Sequence, residues 1–182
     1  MSKLRCQRAG AVAAVGGLLW VGWAVALGVT GTESDPVLLA VVLSALGVVA
    51  GLYAVESFYG ARIKRPGTGG TWLGILGGLV FAAGQALRIV TGNGEIVVGL
   101  GVLALVGGSL LTAVALVRTP VQPPWLGVLL AVGTVAFLGF EVSAWLALPY
   151  GLAWIALGQD LYRYDPPDGR FGDARGDYGW SG

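Results

Sequence analysis

The sequence predicts an all-α, multi-pass membrane protein: a bundle of six transmembrane helices with both termini in the cytoplasm. Three observations lead to this fold class. The 182 residues are 55% hydrophobic and only 12% charged, whereas about a quarter of the residues of a soluble domain are charged. The apolar residues fall into six blocks, and ten of the eleven Lys and Arg residues lie in alternate gaps between them. Cationic loops stay in the cytoplasm, so the alternation also predicts the orientation.

Span 1 is predicted at about residues 9–31, after a basic cytoplasmic N-terminus at residues 1–8. Its length is sufficient, because about 20 apolar helical residues cross a bilayer core of roughly 30 Å. A cleaved signal peptide is the alternative, since a basic start and the sequence Ala24-Val25-Ala26 resemble one. The long apolar run, with bulky Trp20 and Trp23 close to that sequence, favours a retained span.

Spans 2 and 3 are predicted on either side of a basic loop. A polar turn at residues 32–35 precedes span 2, and Pro36 suits the first helical position because no hydrogen bond from its nitrogen is needed there. Span 2 ends near Tyr59. Residues 60–70 form the predicted loop, and span 3 follows at residues 71–90.

Spans 4 to 6 occupy the rest of the apolar sequence. Span 4 follows a turn at residues 91–94 and reaches Val117, and three prolines in residues 119–124 predict a loop after it. Residues 125–164 hold two helices with hardly any loop. One alternative places their turn at residues 141–143. The other, which we favour, extends span 5 to about Leu146 and starts span 6 with Pro149 in its first turn.

An internal comparison favours the second alternative and indicates three successive helical hairpins. Trp72-Leu73-Gly74 opens span 3 as Trp125-Leu126-Gly127 opens span 5. The distance from Trp72 to the turn at Asn93 equals the distance from Trp125 to Leu146. Repeated hairpins of this kind are common among membrane folds.

The charges divide the chain into a cytoplasmic N-terminus (residues 1–8), a six-span domain (residues 9–164) and a flexible cytoplasmic tail (residues 165–182). The predicted cytoplasmic side holds Lys3, Arg5, Arg8, Arg62, Lys64, Arg65, Arg118, Arg163, Arg170 and Arg175. The other side holds Glu33, Asp35 and Glu95, and Arg88 is its basic exception. The predicted location is the cell membrane, with the lipid bilayer as the solvent of the spans.

The composition excludes several classes of function. The chain has no histidine and a single cysteine, Cys6, so imidazole-dependent catalysis, most zinc sites and cysteine-ligated clusters are excluded. We predict no catalytic residues, no metal and no cofactor. A net charge of +1 also argues against nucleic-acid binding.

Small residues recur at helical spacing and predict close helix packing. In span 3 they recur at every fourth position, and span 2 adds two more glycines. The predicted packing residues are Gly70, Gly74, Gly78, Ala82, Ala86, Gly47 and Gly51. Packing within the chain is the favoured interpretation; a membrane-protein partner or a homo-oligomer would use the same faces.

Ionisable residues within spans are the candidates for a binding site, because each costs roughly 2.5–3.5 kcal/mol on insertion. Arg88 and Glu141 occupy equivalent positions in spans 3 and 5 and are predicted to form an ion pair. A span 6 of about 16 residues would extend only about 24 Å, which leaves a recess at its outer end. The predicted lining is Gln85, Arg88, Glu141, Trp145 and Tyr150. The alternative is that the two charges simply reach the lipid headgroups.

Two non-enzymatic functions follow from this pattern, and a lipid-modifying enzyme ranks behind them. The favoured one is a membrane partner or assembly protein that acts through its small-residue faces. The other is a small-solute transporter or its substrate-binding subunit. Six spans, both termini inside and the pair Ala9 and Ala13 on span 1 resemble the substrate-binding subunits of energy-coupling-factor vitamin transporters. The resemblance implies a solute pocket open to the outside, although the outer loops of this chain are very short.

Overall fold

The fold is all-α, as predicted, over the residues that the computed structural model describes: 3–31, 34–118, 123–140 and 142–163. Its elements are α1 (Lys3–Thr30), α2 (Asp35–Thr91), α3 (Glu95–Arg118), α4 (Pro124–Phe137), a short 3-10 helix (Ala144–Ala147) and α5 (Leu148–Arg163). Glu141 and the predicted tail lie outside the described residues, as does most of the loop predicted at residues 119–124.

Four helical segments are long and apolar enough to cross a membrane, and they coincide with predicted spans 1 to 4. They are Gln7–Thr30, Asp35–Tyr59, Gly67–Thr91 and Glu95–Arg118. The helices α4 and α5 are shorter, with 14 and 16 residues. At 1.5 Å per residue they extend about 21 and 24 Å, less than a bilayer core of roughly 30 Å.

The prediction of an irregular loop at residues 60–70 is wrong, because helical structure continues through all 57 residues of α2. The helix nevertheless folds back on itself. Val49 and Gly78 would lie about 43 Å apart in a straight helix, yet a Cβ on Gly78 would lie 2.5 Å from Cγ2 of Val49. Proline disrupts a regular helix because it lacks a backbone donor and clashes with the preceding turn, so the position of Pro66 just before the segment Gly67–Thr91 is consistent with a reversal there.

We therefore describe α2 as two antiparallel limbs, limb A (Asp35–Tyr59) and limb B (Gly67–Thr91). A polar contact joins the limbs close to the reversal: the hydroxyl of Thr71 donates a hydrogen bond of 2.6 Å to Oε2 of Glu56. Glu56 is half-buried, and a carboxylate removed from water needs such a donor.

The six segments form a closed ring in chain order. Each segment contacts the next one along the chain, and α5 returns to contact α1. The closing pair is antiparallel, because Gly10 of α1 lies against Gly158 of α5 while Gly17 lies against Gly151. The described helix ends therefore lie at one of two ends of the ring.

The two ends of the ring differ in charge. The end at which α1 begins and α3 and α5 finish carries Arg8, Arg118 and Arg163, and we call it the basic end. The opposite end carries the first residues of limb A and α3, including Asp35 and Glu95. The ring thus gathers the described basic loop residues at a common end.

The predicted packing row on limb B divides between two neighbours. Gly70 and Gly74 lie against the backbone of α3, Gly78 lies against limb A, and Ala82 is buried, but Ala86 is exposed. With 3.6 residues per turn, a row of every fourth residue rotates by about 40° at each step. Ala86 therefore points about 160° away from Gly70, and the last residue of the row faces away from the neighbouring segments.

The two packing glycines predicted in span 2 both face other segments. Gly47 meets Gly16 of α1 backbone to backbone, and Gly51 lies against the ring of Trp154 of α5. Large apolar side chains such as Val132 are exposed on the outside of the ring, as expected of helices that are solvated by hydrocarbon.

A pair of adjacent glycines on α3 tests the close packing. A Cβ on Gly108 would overlap the backbone of Gly74 and lie 2.6 Å from the carbonyl oxygen of Gly70, whereas at Gly107 the nearest atom is Cδ2 of Leu73 at 3.8 Å. We expect Gly108→Ala to lower the free energy of unfolding by about 1–3 kcal/mol, because a backbone cannot repack around the methyl group. Gly107→Ala should be neutral or stabilising by about 0.5–1 kcal/mol through helix propensity.

Thermal unfolding of the two variants in detergent, followed by size-exclusion chromatography, measures this difference. Equal melting temperatures for both variants would contradict the described contact between limb B and α3.

Candidate functional site

The centre of the ring is filled by aromatic side chains from four segments. The ring centroid of Trp20 lies 5.1 Å from that of Phe137 and 5.5 Å from that of Tyr150. The centroid of Phe81, on limb B, is 6.0 Å from Trp20. All four side chains are almost completely buried. We call these four residues the aromatic layer.

Glycine at the contact between α4 and α5 allows part of this layer to form. A Cβ on Gly133 would lie 2.7 Å from the carbonyl oxygen of Pro149, so the two backbones touch. Phe137 is one turn further along the same face of α4. It stacks on Tyr150 with centroids 5.0 Å apart and ring planes 20° from parallel.

The aromatic layer includes one unsatisfied polar group. The indole N–H of Trp20 is buried without a hydrogen-bond acceptor in the described part of the chain, which costs about 1–3 kcal/mol. Each aromatic pair contributes about 0.5–1.5 kcal/mol beyond the area it buries. Since Trp20 contacts three other rings of the layer, the pairs offset the lost hydrogen bond.

Tyr150 also joins the layer to α3. Its hydroxyl lies 3.2 Å from Oγ of Ser109, within hydrogen-bond distance. Two other buried hydroxyls, those of Thr112 and Thr134, donate to carbonyl oxygens of their own helices, at 2.8 and 2.6 Å. The contact between Ser109 and Tyr150 therefore links α3 to α5 across the ring.

A cavity of about 620 Å³ lies between the aromatic layer and the end opposite the basic end. Its floor is formed by Trp23, Phe81 and Phe137, and most of its wall is apolar. Gln85, Arg88 and Glu95 are the charged or amide side chains that line it within the described residues. The cavity is thus apolar beside the aromatic layer and polar toward the end opposite the basic end.

Gln85 and Arg88 are neighbours on limb B, one turn apart. Nη1 of Arg88 donates a hydrogen bond of 3.3 Å to Oε1 of Gln85. Gln85 is only 5% exposed, whereas Arg88 is partly exposed. Spacing of three residues places both side chains on one face of the helix, which here is the face that lines the cavity.

Two glycines bring Glu95 to the same cavity. Gly92 ends limb B with φ of 70°, and its N–H donates to the carbonyl oxygen of Arg88. Gly94 has φ of 148°. Glycine adopts positive φ without a steric penalty, so the chain reverses within a few residues and α3 begins with Glu95 beside the end of limb B.

The residues predicted to line the recess are divided by the structure. Gln85 and Arg88 line the cavity. Tyr150 is buried in the aromatic layer. Trp145 is 46% exposed and covers Gly28 of α1. Glu141 lies outside the described residues, so its ion pair with Arg88 stays a prediction.

Sequence reasoning missed several contributors to the cavity, including Glu95, Phe81 and Phe137. Glu95 was assigned only to the charge of the outer side, and Phe81 and Phe137 were not singled out at all. A charged residue directly after a Gly-Asn-Gly turn is a usable signal for Glu95, because such a turn places it beside the preceding helix end. No local signal marks the two phenylalanines, since they meet only when the ring closes.

Comparison of the chain with protein families, with characterised proteins and with solved structures found no match. The cavity and the ring are therefore the basis on which a function is proposed.

The contact between Ser109 and Tyr150 is testable by a double-mutant cycle. We expect Ser109→Ala and Tyr150→Phe to be coupled by about 0.5–1.5 kcal/mol, the range found for hydrogen bonds between membrane helices. Ser44→Ala is the matched control, because Ser44 is buried, bonds to its own helix and lies on limb A, which is not next to α5 in the ring. Its effect should add to that of Tyr150→Phe.

Denaturant unfolding in mixed micelles gives the free energies for all of these variants. Simple additivity of Ser109→Ala and Tyr150→Phe would show that this contact does not link α3 to α5.

Proposed function

We propose that this chain is a six-span membrane protein, with both termini in the cytoplasm, that binds a small molecule in its outward-facing cavity. The observation that supports it most is the cavity itself. Its volume of about 620 Å³ falls within the range of roughly 300–1,000 Å³ that is typical of small-molecule sites. A mostly apolar wall with a few convergent polar groups is also typical of such sites.

The position of α4 and α5 supports six spans rather than four. Both helices are members of the closed ring: α4 packs between α3 and α5, and α5 packs on α1. Between them the described residues form turns and the short 3-10 helix Ala144–Ala147. The neighbours of α4 and α5 in the ring, α3 and α1, would cross the membrane. The two shorter helices would then lie in the same hydrocarbon layer.

The orientation is supported by the basic end. The antiparallel ring places Arg8, Arg118 and Arg163 at the same end. Cationic segments remain in the cytoplasm. The cavity opens toward the other end and would therefore face outward. Arg88, the basic exception to the charge pattern, lines this cavity, so a role in binding accounts for its position.

Similar exposure at corresponding positions favours the three-hairpin arrangement. Gly74 and Gly127, which occupy corresponding positions, are both in contact with a neighbouring segment, since a Cβ on Gly74 would lie 2.8 Å from Leu52 and one on Gly127 would lie 2.7 Å from Val117. The tryptophans two residues earlier, Trp72 and Trp125, are 48% and 56% exposed. Matching environments at matching positions are what a repeated hairpin would produce.

The binding role is preferred to that of a partner or assembly protein. The glycines that suggested a partner surface are used within the chain: Gly47 meets Gly16, and Gly74 meets Gly108. A partner would have to use other residues. We propose binding without catalysis, as the receptor or the binding step of a transporter.

Cysteine labelling tests the orientation and the open cavity together. In a Cys6→Ser background, Gln85→Cys should react with a small, charged methanethiosulfonate added to intact cells, because the side chain lines an outward-open cavity. Ser109→Cys is the control below the aromatic layer, where Ser109 is completely buried, and should stay unreactive. Arg163→Cys, at the basic end, should react only after the membrane is permeabilised.

Mass spectrometry of the purified protein measures the modification at each position. Labelling of Gln85→Cys only after permeabilisation would reverse the proposed orientation. Its failure to react under both conditions would remove the open cavity on which the proposal depends.

A further inference from the structure

Part of the cavity lining is exposed between α3 and the end of α4, which is what a side opening at this position would produce. The lining includes residues that are also exposed on the outside of the ring: Glu95, Gly99 and Leu103 on α3, and Leu138 directly after α4. The three residues of α3 are spaced by four and form a single row along the helix. Leu103 is 66% exposed and Leu138 is 51% exposed.

The early end of α4 is the cause of this opening. Gly99, Val106 and Ala113 are spaced by seven residues, or two turns, and so lie on the same side of α3. Ala113 and Val106 are covered, with 0% and 6% exposure, and a Cβ on Gly127 of α4 would lie 2.8 Å from the carbonyl oxygen of Ala113. Gly99, on the same side, is exposed.

Counting along the antiparallel pair locates the edge of the opening. Gly127 faces Ala113 and Val117 of α3. Ten residues further on, α4 ends at Phe137, which brings its end level with about Leu103. The part of α3 from Glu95 to Leu103, about 12 Å long, therefore has no α4 beside it.

The opening lies at the depth of the hydrocarbon in the proposed arrangement. The 14 residues of α4 extend about 21 Å, roughly 9 Å less than the bilayer core. The missing length is at the outward end, since α4 begins at the basic end beside the last turn of α3. Molecules of the outer leaflet would face the gap directly.

The polarity of the cavity matches an amphiphile that lies along the membrane normal. The aromatic floor is deepest, and apolar wall residues such as Val41 and Val102 surround the middle. Gln85, Arg88 and Glu95 are nearest the outward end. An amide and a guanidinium can both donate hydrogen bonds to a headgroup oxygen. A water-soluble solute would gain little from an entrance bordered by Leu103 and Leu138.

From these observations we infer that the cavity binds the acyl chain of an outer-leaflet lipid, which enters sideways between α3 and the end of α4. The chain extends toward the aromatic floor, and the headgroup accepts hydrogen bonds at Gln85 and Arg88. This inference rests on the proposed function and names the class of ligand for the same cavity.

A photoreactive lipid tests the inference in the full-length protein. The probe is phosphatidylglycerol with a diazirine at the end of one acyl chain, present as a small fraction of phosphatidylcholine and phosphatidylglycerol vesicles that contain the protein. Light converts the diazirine into a carbene that inserts into neighbouring side chains. Tandem mass spectrometry should locate adducts on Phe81 and Phe137, in addition to residues such as Val132 on the lipid-facing surface.

Matched glycine variants test the route of entry. A Cβ on Gly99 or on Gly22 would meet no atom within 4 Å, but only Gly99 lines the cavity. We expect Gly99→Trp to reduce the adducts on Phe81 and Phe137 at least five-fold and Gly22→Trp to leave them unchanged. Leu103→Trp, in the same row, repeats the test at an already exposed position if Gly99→Trp does not fold.

Adducts confined to the lipid-facing surface of the unsubstituted protein would overturn the inference. Equal adducts on the floor in Gly99→Trp and Gly22→Trp would overturn the sideways route. Aqueous labelling of Gln85→Cys separates the two proposals: labelling without floor adducts rejects the lipid and leaves the proposed function, and the absence of both rejects them together.

Discussion

Backbone contact between glycines is the constraint on which the rest of the structure depends. Lipid is as apolar as leucine, so the hydrophobic effect does not hold membrane helices together, and close packing has to do so. Gly16 meets Gly47, Gly74 meets Gly108 and Gly10 meets Gly158, which joins three of the six pairs of neighbouring segments in the ring. A methyl group on each partner would hold such a pair apart and widen the ring. The four aromatic side chains at the centre would then no longer fill it.

The same contacts explain why the cavity lies at one end. Near the basic end, Gly10 and Gly158 bring the backbones of α1 and α5 together. Toward the opposite end, the indole of Trp145, just before α5, lies against Gly28 of α1, so that a large side chain stands between the two backbones. Likewise, α3 and α4 are in backbone contact at Gly127, near the basic end. Above the aromatic layer, limb B and α3 remain in backbone contact, because a Cβ on Gly84 would lie 2.7 Å from the nitrogen of Val98. The helix α4 has ended at that level, and the cavity forms there.

The sequence predicts the helical fold and the first four spans because hydropathy and charge are local properties that survive folding. The end of α4 could not be predicted in this way: the residues after Phe137 are Leu138, Gly139 and Phe140, which continue the apolar run and give hydropathy no boundary. Pro149, in contrast, marks the start of α5 correctly because proline fits a first helical turn. Gln85 and Arg88 are recognisable as rare polar residues in a span, but the pairing of α1 with α5 is a long-range contact without a local signal.

The early end of α4 gives the cavity both its floor and its entrance. Phe137, the last residue of the helix, is buried in the aromatic layer, and Leu138, the next residue, lies at the side opening. A span 5 that continued to Leu146, as the internal comparison of the sequence predicts, would have covered the row from Glu95 to Leu103 on α3. The ring would then have been closed on all sides, with Arg88 and Gln85 sealed from the lipid. The short α4 is therefore the feature that makes the cavity of the bundle accessible. Gln85 and Arg88 of limb B lie where this opening would expose them.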